Sequence, residues 1–267
     1  MRFTIILILV ISNSYAKELF ELSDNYHCSE GSFPPKSFCQ AVKFTPWKTS
    51  EKKFIKGLLK ELNLKQYKHL YQTIKDKGIT KIHRVKYSSN WYANSQTRTV
   101  EFFRLREPVL MWVNPTTNVI GITDHFFNAP NIRDEISGKN KKLLNLLHEI
   151  IHVFDIASNH PSSKYRQKFG WKWNHNQEVY RQTSPQEIMD EFLQILEYSR
   201  NIDPIKAHSM NRQAGIHYGV PTLYALFNTK EFFAEVLSYY LLDPKAKDYL
   251  PKDLQIILDQ ILEPSQG

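Results

Sequence analysis

From Ser50 the apolar positions recur at helical spacing. Phe54, Leu58, Leu59 and Leu62 share one face, and Leu64, Tyr67, Leu70, Tyr71 and Ile74 continue it until DKG ends the unit at Gly78. This two-helix stretch reads either as a small accessory subdomain or as the first layer of the domain. Between Lys81 and Phe127 the pattern changes to short runs rich in Val, Ile, Tyr, Phe and Trp. It predicts strands near 81–87, 98–105, 109–113 and 118–123, joined by NSQT, REP and NPTTN, and so a small, mostly antiparallel sheet. From Asn140, KKLLNLLHEIIHVFDIA is apolar nearly all round, which predicts a helix buried at the domain centre. Ser158 to Thr183 is polar and aromatic without an assignable period. SPQE, from Ser184 to Glu187, is a capping box with Pro at the first helical position, and helices recur near 228–242 and 252–262. Helices, then sheet, then helices predict an α+β fold, without an internal repeat or flexible linker.

The ends of the chain read differently. Arg2, the apolar run FTIILILVIS and small residues at Ser14 and Ala16 form a secretory signal peptide, expected to be cleaved after Ala16. The run is too short to span a bilayer, and no cysteine follows the cleavage point to take a lipid. The expected organisation is therefore a signal peptide at 1–16, an irregular and helical segment at 17–80, and the main domain at 81–267. The mature protein is expected to be secreted or periplasmic, with no stable membrane anchor. An oxidising compartment would allow Cys28 and Cys39, which enclose the turn-rich SEGSFPPKSF, to close a disulfide.

Composition narrows the classes. With 267 residues, 42% hydrophobic and 23% charged, the chain is neither a disordered tail nor a membrane bundle. Two cysteines cannot build a Cys-rich structural zinc site. A net charge of +8 favours contact with anionic surfaces such as cell-wall polymers, lipid headgroups or acidic polypeptides. Nucleic acid is not an expected partner of an exported protein.

The buried helix carries the chemistry. His148-Glu149-Ile150-Ile151-His152 is an HExxH pattern, and four residues at about 100° each return His152 to the face of His148. Two imidazoles then converge on one cation, with Glu149 beside them, positioned for a water. Burying His, Glu and His among Leu, Ile and Phe carries a desolvation cost that one divalent zinc per chain would offset. A third ligand is needed. The metzincin position, ten residues after His148, is Ser158, and His160 is two places late. Asp155, seven after His148, suits an outer hydrogen-bonding role. Downstream, NTKEFFAEVLSYY sets Glu231 and Glu235 one helical turn apart in an apolar setting. Either one carboxylate binds metal and the other holds a ligand imidazole, or Glu231 serves a capping box with Asn228 and Glu235 is the ligand.

HEIIHVFD, including Asp155, and the block YALFNTKEFFAEVLSYYLLDP resemble the lethal-factor-type gluzincin zinc metallopeptidases, of the kind found in the catalytic domain of anthrax toxin. The Mlc-titration-factor-like peptidases are more loosely similar. The tail KDYLPKDLQIILDQIL is similar as well, so the resemblance covers roughly the last 120 residues. It implies a zincin-like domain over 81–267, with zinc on His148, His152 and Glu231, Glu235 orienting a ligand histidine, and Tyr224, seven before Glu231, pointing into the site. It implies endopeptidase activity on polypeptide, with Glu149 as general base and Tyr224 as donor to the developing oxyanion. His217 and Tyr218 are further candidates for that last role, and strand 118–123 is expected to pair with an extended substrate. The gap between His152 and Glu231 is longer than the family pattern, leaving the insertion at 158–220 without an assigned purpose. Two further expectations keep the zinc site but change the outcome: hydrolysis of cell-wall peptide crosslinks, or a zinc-stabilised binding protein without turnover.

Overall fold

The computed structural model describes residues 19–24, 42–87, 110–114, 118–174, 177–181 and 183–264. The expected signal peptide, the Cys28–Cys39 pair and the strand near 98–105 lie outside these residues. The described elements begin with β1 (Phe20–Ser23) and β2 (Val42–Phe44), followed by α1 (Thr49–Leu62) and α2 (Lys68–Lys77), then β3 (Thr80–Tyr87), β4 (Met111–Asn114) and β5 (Val119–Thr123). The fold is α+β.

β3 organises the sheet. One of its edges takes β1 in parallel (Phe20↔Thr80 to Ser23↔His83) and, further along, β2 antiparallel (Phe44↔Val85). Its other edge takes β5 in parallel, and β5 pairs antiparallel with β4. The expected mostly antiparallel sheet is therefore mixed. Parallel neighbours need a long crossover, and the α1–α2 pair is itself part of the crossover from β1 to β3. β5 is buried at all five positions, VIGIT, as suits a strand covered on both faces. Since β3 and β4 occupy both its edges, strand 118–123 has no edge for a substrate, contrary to expectation. β4 ends the order of the described strands.

α1 buries Ile55, Leu58, Leu59 and Leu62 and stops at Asn63, which takes a left-handed conformation (φ 42°). α2 stops at Gly78, whose φ of 102° disfavours any side chain. Next come α3 (Asp124–Asn128) and the central α4 (Lys141–Ala157), which is capped by the Asn140 side chain accepting from the Lys142 N–H. α4 packs against α1, α2 and β4, and one hydrophobic cluster joins Ile55 and Leu62 of α1 and Leu70 and Ile74 of α2 to Leu146, Ile150 and Phe154. In their packing, residues 49–77 form a first layer of this core.

The stretch 158–183, unassigned by its pattern, contains α5 (Pro161–Lys164) and a hairpin of β6 (Trp171–Asn174) and β7 (Gln177–Tyr180); α6 (Pro185–Asn201) and α7 (Pro204–His217) follow. A 3₁₀ turn at Leu223–Leu226 leads to α8 (Thr229–Leu242), α9 (Ala246–Tyr249) and α10 (Lys252–Leu262). α6 begins at the Ser184 cap that SPQE announces. Trp171 and Tyr180 close the hairpin over Phe232 of α8. Among the described residues no helix is long and apolar enough to cross a membrane.

His83, in the middle of β3, is 1% exposed and meets Phe44 edge-on at 5.8 Å. Burial lowers its pKa from 6.5 to about 4, opposed by a hydrogen bond with the Ser23 backbone. The unfolded chain therefore binds a proton at His83 near pH 6.5 that the folded chain refuses until about pH 4. This contribution to stability is complete above pH 6.5 and is lost as the pH drops through that window. His208, also lowered by burial, acts in the same direction. In chelator-treated protein, the Tm of the wild type should fall between pH 6.5 and 4. In His83→Gln it should fall less over the same interval, which thermal melts in a pH series will show.

Candidate metal centre

α4 and α8 cross so that four of their side chains meet. His148 and His152, one turn apart on α4, stand with ring centroids 4.7 Å apart and their Nε2 atoms 3.1 Å apart. From α8, Glu231 Oε2 lies 3.0 Å from His148 Nε2 and 3.4 Å from His152 Nε2. Glu235 Oε2, one turn further, lies 2.9 Å from His148 Nδ1. The helix cap is served by Asn228, whose side chain accepts from the N–H groups of Lys230 and Glu231. Glu231 thus gives its backbone to the cap and its carboxylate to the histidines.

The donor chemistry fits a cation. In the neutral ring, a proton on Nδ1 facing Glu235 would leave Nε2 as the acceptor. That acceptor faces a carboxylate oxygen and the Nε2 of a second imidazole. One ligand atom each from His148, His152 and Glu231 falls within 4.8 Å of the others, and a two-histidine, one-glutamate set is that of catalytic zinc sites. Left to protons alone, burial pulls the His148 pKa down, but the hydrogen bonds and charges of Glu231 and Glu235 carry it well above its usual value. Burial pushes Glu231 up, while His152 and His148 bring it well below the usual carboxylate range. A metal would displace the proton held there.

Glu149 is partly buried beside this group. Burial raises its pKa, with His148 and His152 opposing. The Tyr224 ring, on the 3₁₀ turn, is 5.7 Å from the His148 ring and also packs against Phe227. Burial, the charges of Glu231, Glu149 and Glu235, and a hydrogen bond with Glu231 hold its phenol far above its usual pKa.

Other predicted residues go elsewhere. Asp155 is not in the outer layer of the metal group: its carboxylate accepts from the Ser162 N–H (2.8 Å) and hydroxyl (2.7 Å), pinning α5 to the end of α4. Ser158 donates to the Phe154 carbonyl and closes α4, and His160 is a half-exposed, left-handed residue 3.6 Å from Asp155. His217 is exposed and meets Tyr218 edge-on, while Tyr218 feels the charges of Glu191 and Glu187 on α6. Sequence reasoning missed Thr222, whose hydroxyl donates to Glu235 Oε1 at 2.7 Å. A lone threonine in a turn carries no signal of such a role.

No protein-family model, curated protein or solved structure matches this chain.

The two glutamates should separate experimentally. Glu231→Gln is expected to abolish stoichiometric metal binding, whereas Glu235→Gln should weaken it by roughly 10- to 100-fold, the usual cost of removing an outer partner of a ligand histidine. Elemental mass spectrometry and chelator competition on both variants check this. A metal-free Glu235→Gln beside a zinc-loaded Glu231→Gln would reverse the assignment.

Proposed function

We propose that this protein is an exported zinc-dependent endopeptidase of the gluzincin type. One observation carries the reading: His148 and His152 from α4 and Glu231 from α8 converge on one point, with Glu149 and Tyr224 beside it. In such a set, zinc supplies Lewis acidity, lowering the pKa of a water and polarising a carbonyl.

The chain's own groups then divide the work. Glu235 holds the Nδ1 side of His148, so that Nε2 faces His152 and Glu231. Glu149 removes a proton from the attacking water and returns it to the leaving amine, a service worth typically 10²–10⁴-fold. Tyr224 keeps its phenolic proton at neutral pH and donates a hydrogen bond to the charge developing on the substrate carbonyl oxygen. An extended substrate would add to β4, which ends the order of the described strands and packs against α4. An intact Glu149 favours turnover over a purely structural zinc, because a structural site has no use for a base.

The test compares wild type, Glu149→Ala and Tyr224→Phe on casein and on purified sacculi. Zinc-loaded wild type should cleave casein. Glu149→Ala should keep its zinc and lose at least about 100-fold in rate, and Tyr224→Phe about 10²–10³-fold in kcat. Full activity in Glu149→Ala would remove the mechanism. Cleavage of sacculi but not casein would redirect the substrate to wall crosslinks, and zinc-loaded inertness toward both would make the chain a binding protein.

A further inference from the structure

The 3₁₀ turn that brings Tyr224 to the site is gripped by one helix. α7 holds Pro221 and Thr222, which lead into it, and Leu223, its first residue, from three helix positions. Arg212 donates through Nη1 to the Pro221 carbonyl. Asn211 Oδ1 accepts from the Leu223 N–H at 3.0 Å. Between them, Gly215 lets the backbones touch: a Cβ there would stand 2.4 Å from the Thr222 Cα, so no other residue allows this approach without displacing Thr222.

Arg212 is in turn fixed on every side. It is 1% exposed, lies 2.9 Å from Asp134 through Nε and from Asp243 through Nη2, and sits 4.2 Å over the Tyr239 ring. Asp134 precedes α4 and Asp243 caps the end of α8. The same guanidinium therefore ties both helices of the metal group to the segment carrying Thr222.

We propose that Thr222 is a positioning residue of the metal centre: gripped by α7, its hydroxyl pins Glu235 Oε1, which fixes Glu235 Oε2 on His148 Nδ1 and so aims the His148 ring. Thr222 is 2% exposed, and a carboxylate bonded through both oxygens cannot rotate away from the imidazole. A purpose for one part of the 158–220 segment follows: α7 (14 residues) is a brace for this relay. The inference rests on the metal-centre reading.

The experiment measures zinc affinity by competition with a chromophoric chelator, and the visible spectrum of the cobalt-substituted protein, in Thr222→Val and Thr222→Ser. Val keeps the shape and removes the donor, so a roughly 10-fold or greater loss of affinity with an altered cobalt spectrum is expected, while Ser should restore both. In a Glu235→Gln background, Thr222→Val should add no further loss, because the hydroxyl acts through that carboxylate. If Thr222→Val does not fold, Asn211→Ala frees the Leu223 N–H without touching Thr222 and should still weaken zinc binding several-fold. Wild-type affinity in a folded Thr222→Val, or in Asn211→Ala where Val does not fold, overturns the positioning role alone. A wild type that takes up no zinc overturns the metal-centre reading and this inference with it.

Discussion

His148 is held between two carboxylates that lie one turn apart on α8, and this requires α4 and α8 to keep a single register. A slip of one residue would rotate Glu231 and Glu235 about 100° away from the ring. Aromatic packing fixes that register. Phe233 stacks on Phe154 of α4 and on Phe169, and Phe232 is enclosed by Phe169, Trp171 and Tyr180. The polar residues of α8 therefore owe their aim to the apolar ones between them, and the β6–β7 hairpin belongs to the site's support. Glu178 of β7 makes the connection polar as well, accepting from both the N–H and the hydroxyl of Thr229, two residues before Glu231.

Buried charge is tolerated here only where several partners share it. Arg212 has Asp134, Asp243 and two tyrosine rings around it, and Asp134 also accepts from the backbone of Ser137 and contacts His208 at 2.8 Å. Arg84 reaches Glu51 at 3.3 Å and donates to the Val85 carbonyl, tying α1 to β3. Removing one member of such a group leaves an unpaired buried charge, which costs far more than the intact pair contributes. These clusters therefore specify geometry more than they add stability. The Arg212 cluster specifies the geometry next to the candidate metal.

Legibility in the sequence followed the apolar period. α1, α2, α4, α8 and α10 present stripes or fully apolar runs, and their limits agree with the pattern within a residue or two, except that α2 begins four residues after Leu64, where its stripe starts. The HExxH spacing announced the two imidazoles because a helix of 3.6 residues per turn leaves them no other arrangement. α7 escaped because it buries His208, Arg212 and Gly215 where a core helix would show leucines. Its Asp203 cap and Pro204 were readable, but without a stripe nothing told which face they began. Sheet order escaped for a different reason: β1 and β3 pair across almost sixty residues, and no local pattern encodes a long-range partner. The residue pattern alone left the choice between Glu231 and Glu235 open, since a cap and a ligand put an acid at the same helical position, and only the resemblance pointed to Glu231.

The charge balance of the site is the last constraint that these elements share. Glu149, Glu231 and Glu235 gather three carboxylates around two imidazoles, in surroundings where burial penalises each ionised form. Protons resolve this only partly: the imidazoles draw Glu231 and Glu235 below the usual carboxylate range against the effect of burial, whereas burial raises Glu149. His148 and Thr222 lower the pKa of Glu235 against the effect of burial, and the charge of Arg212 adds to this. A divalent cation at the common point of His148, His152 and Glu231 would balance Glu231 and Glu235, leaving Glu149 as the one carboxylate whose protonation can change during a reaction. With such a cation in place, fixed and mobile charge would be separated: two acids would be committed to holding the site, and the third would stay available to take a proton.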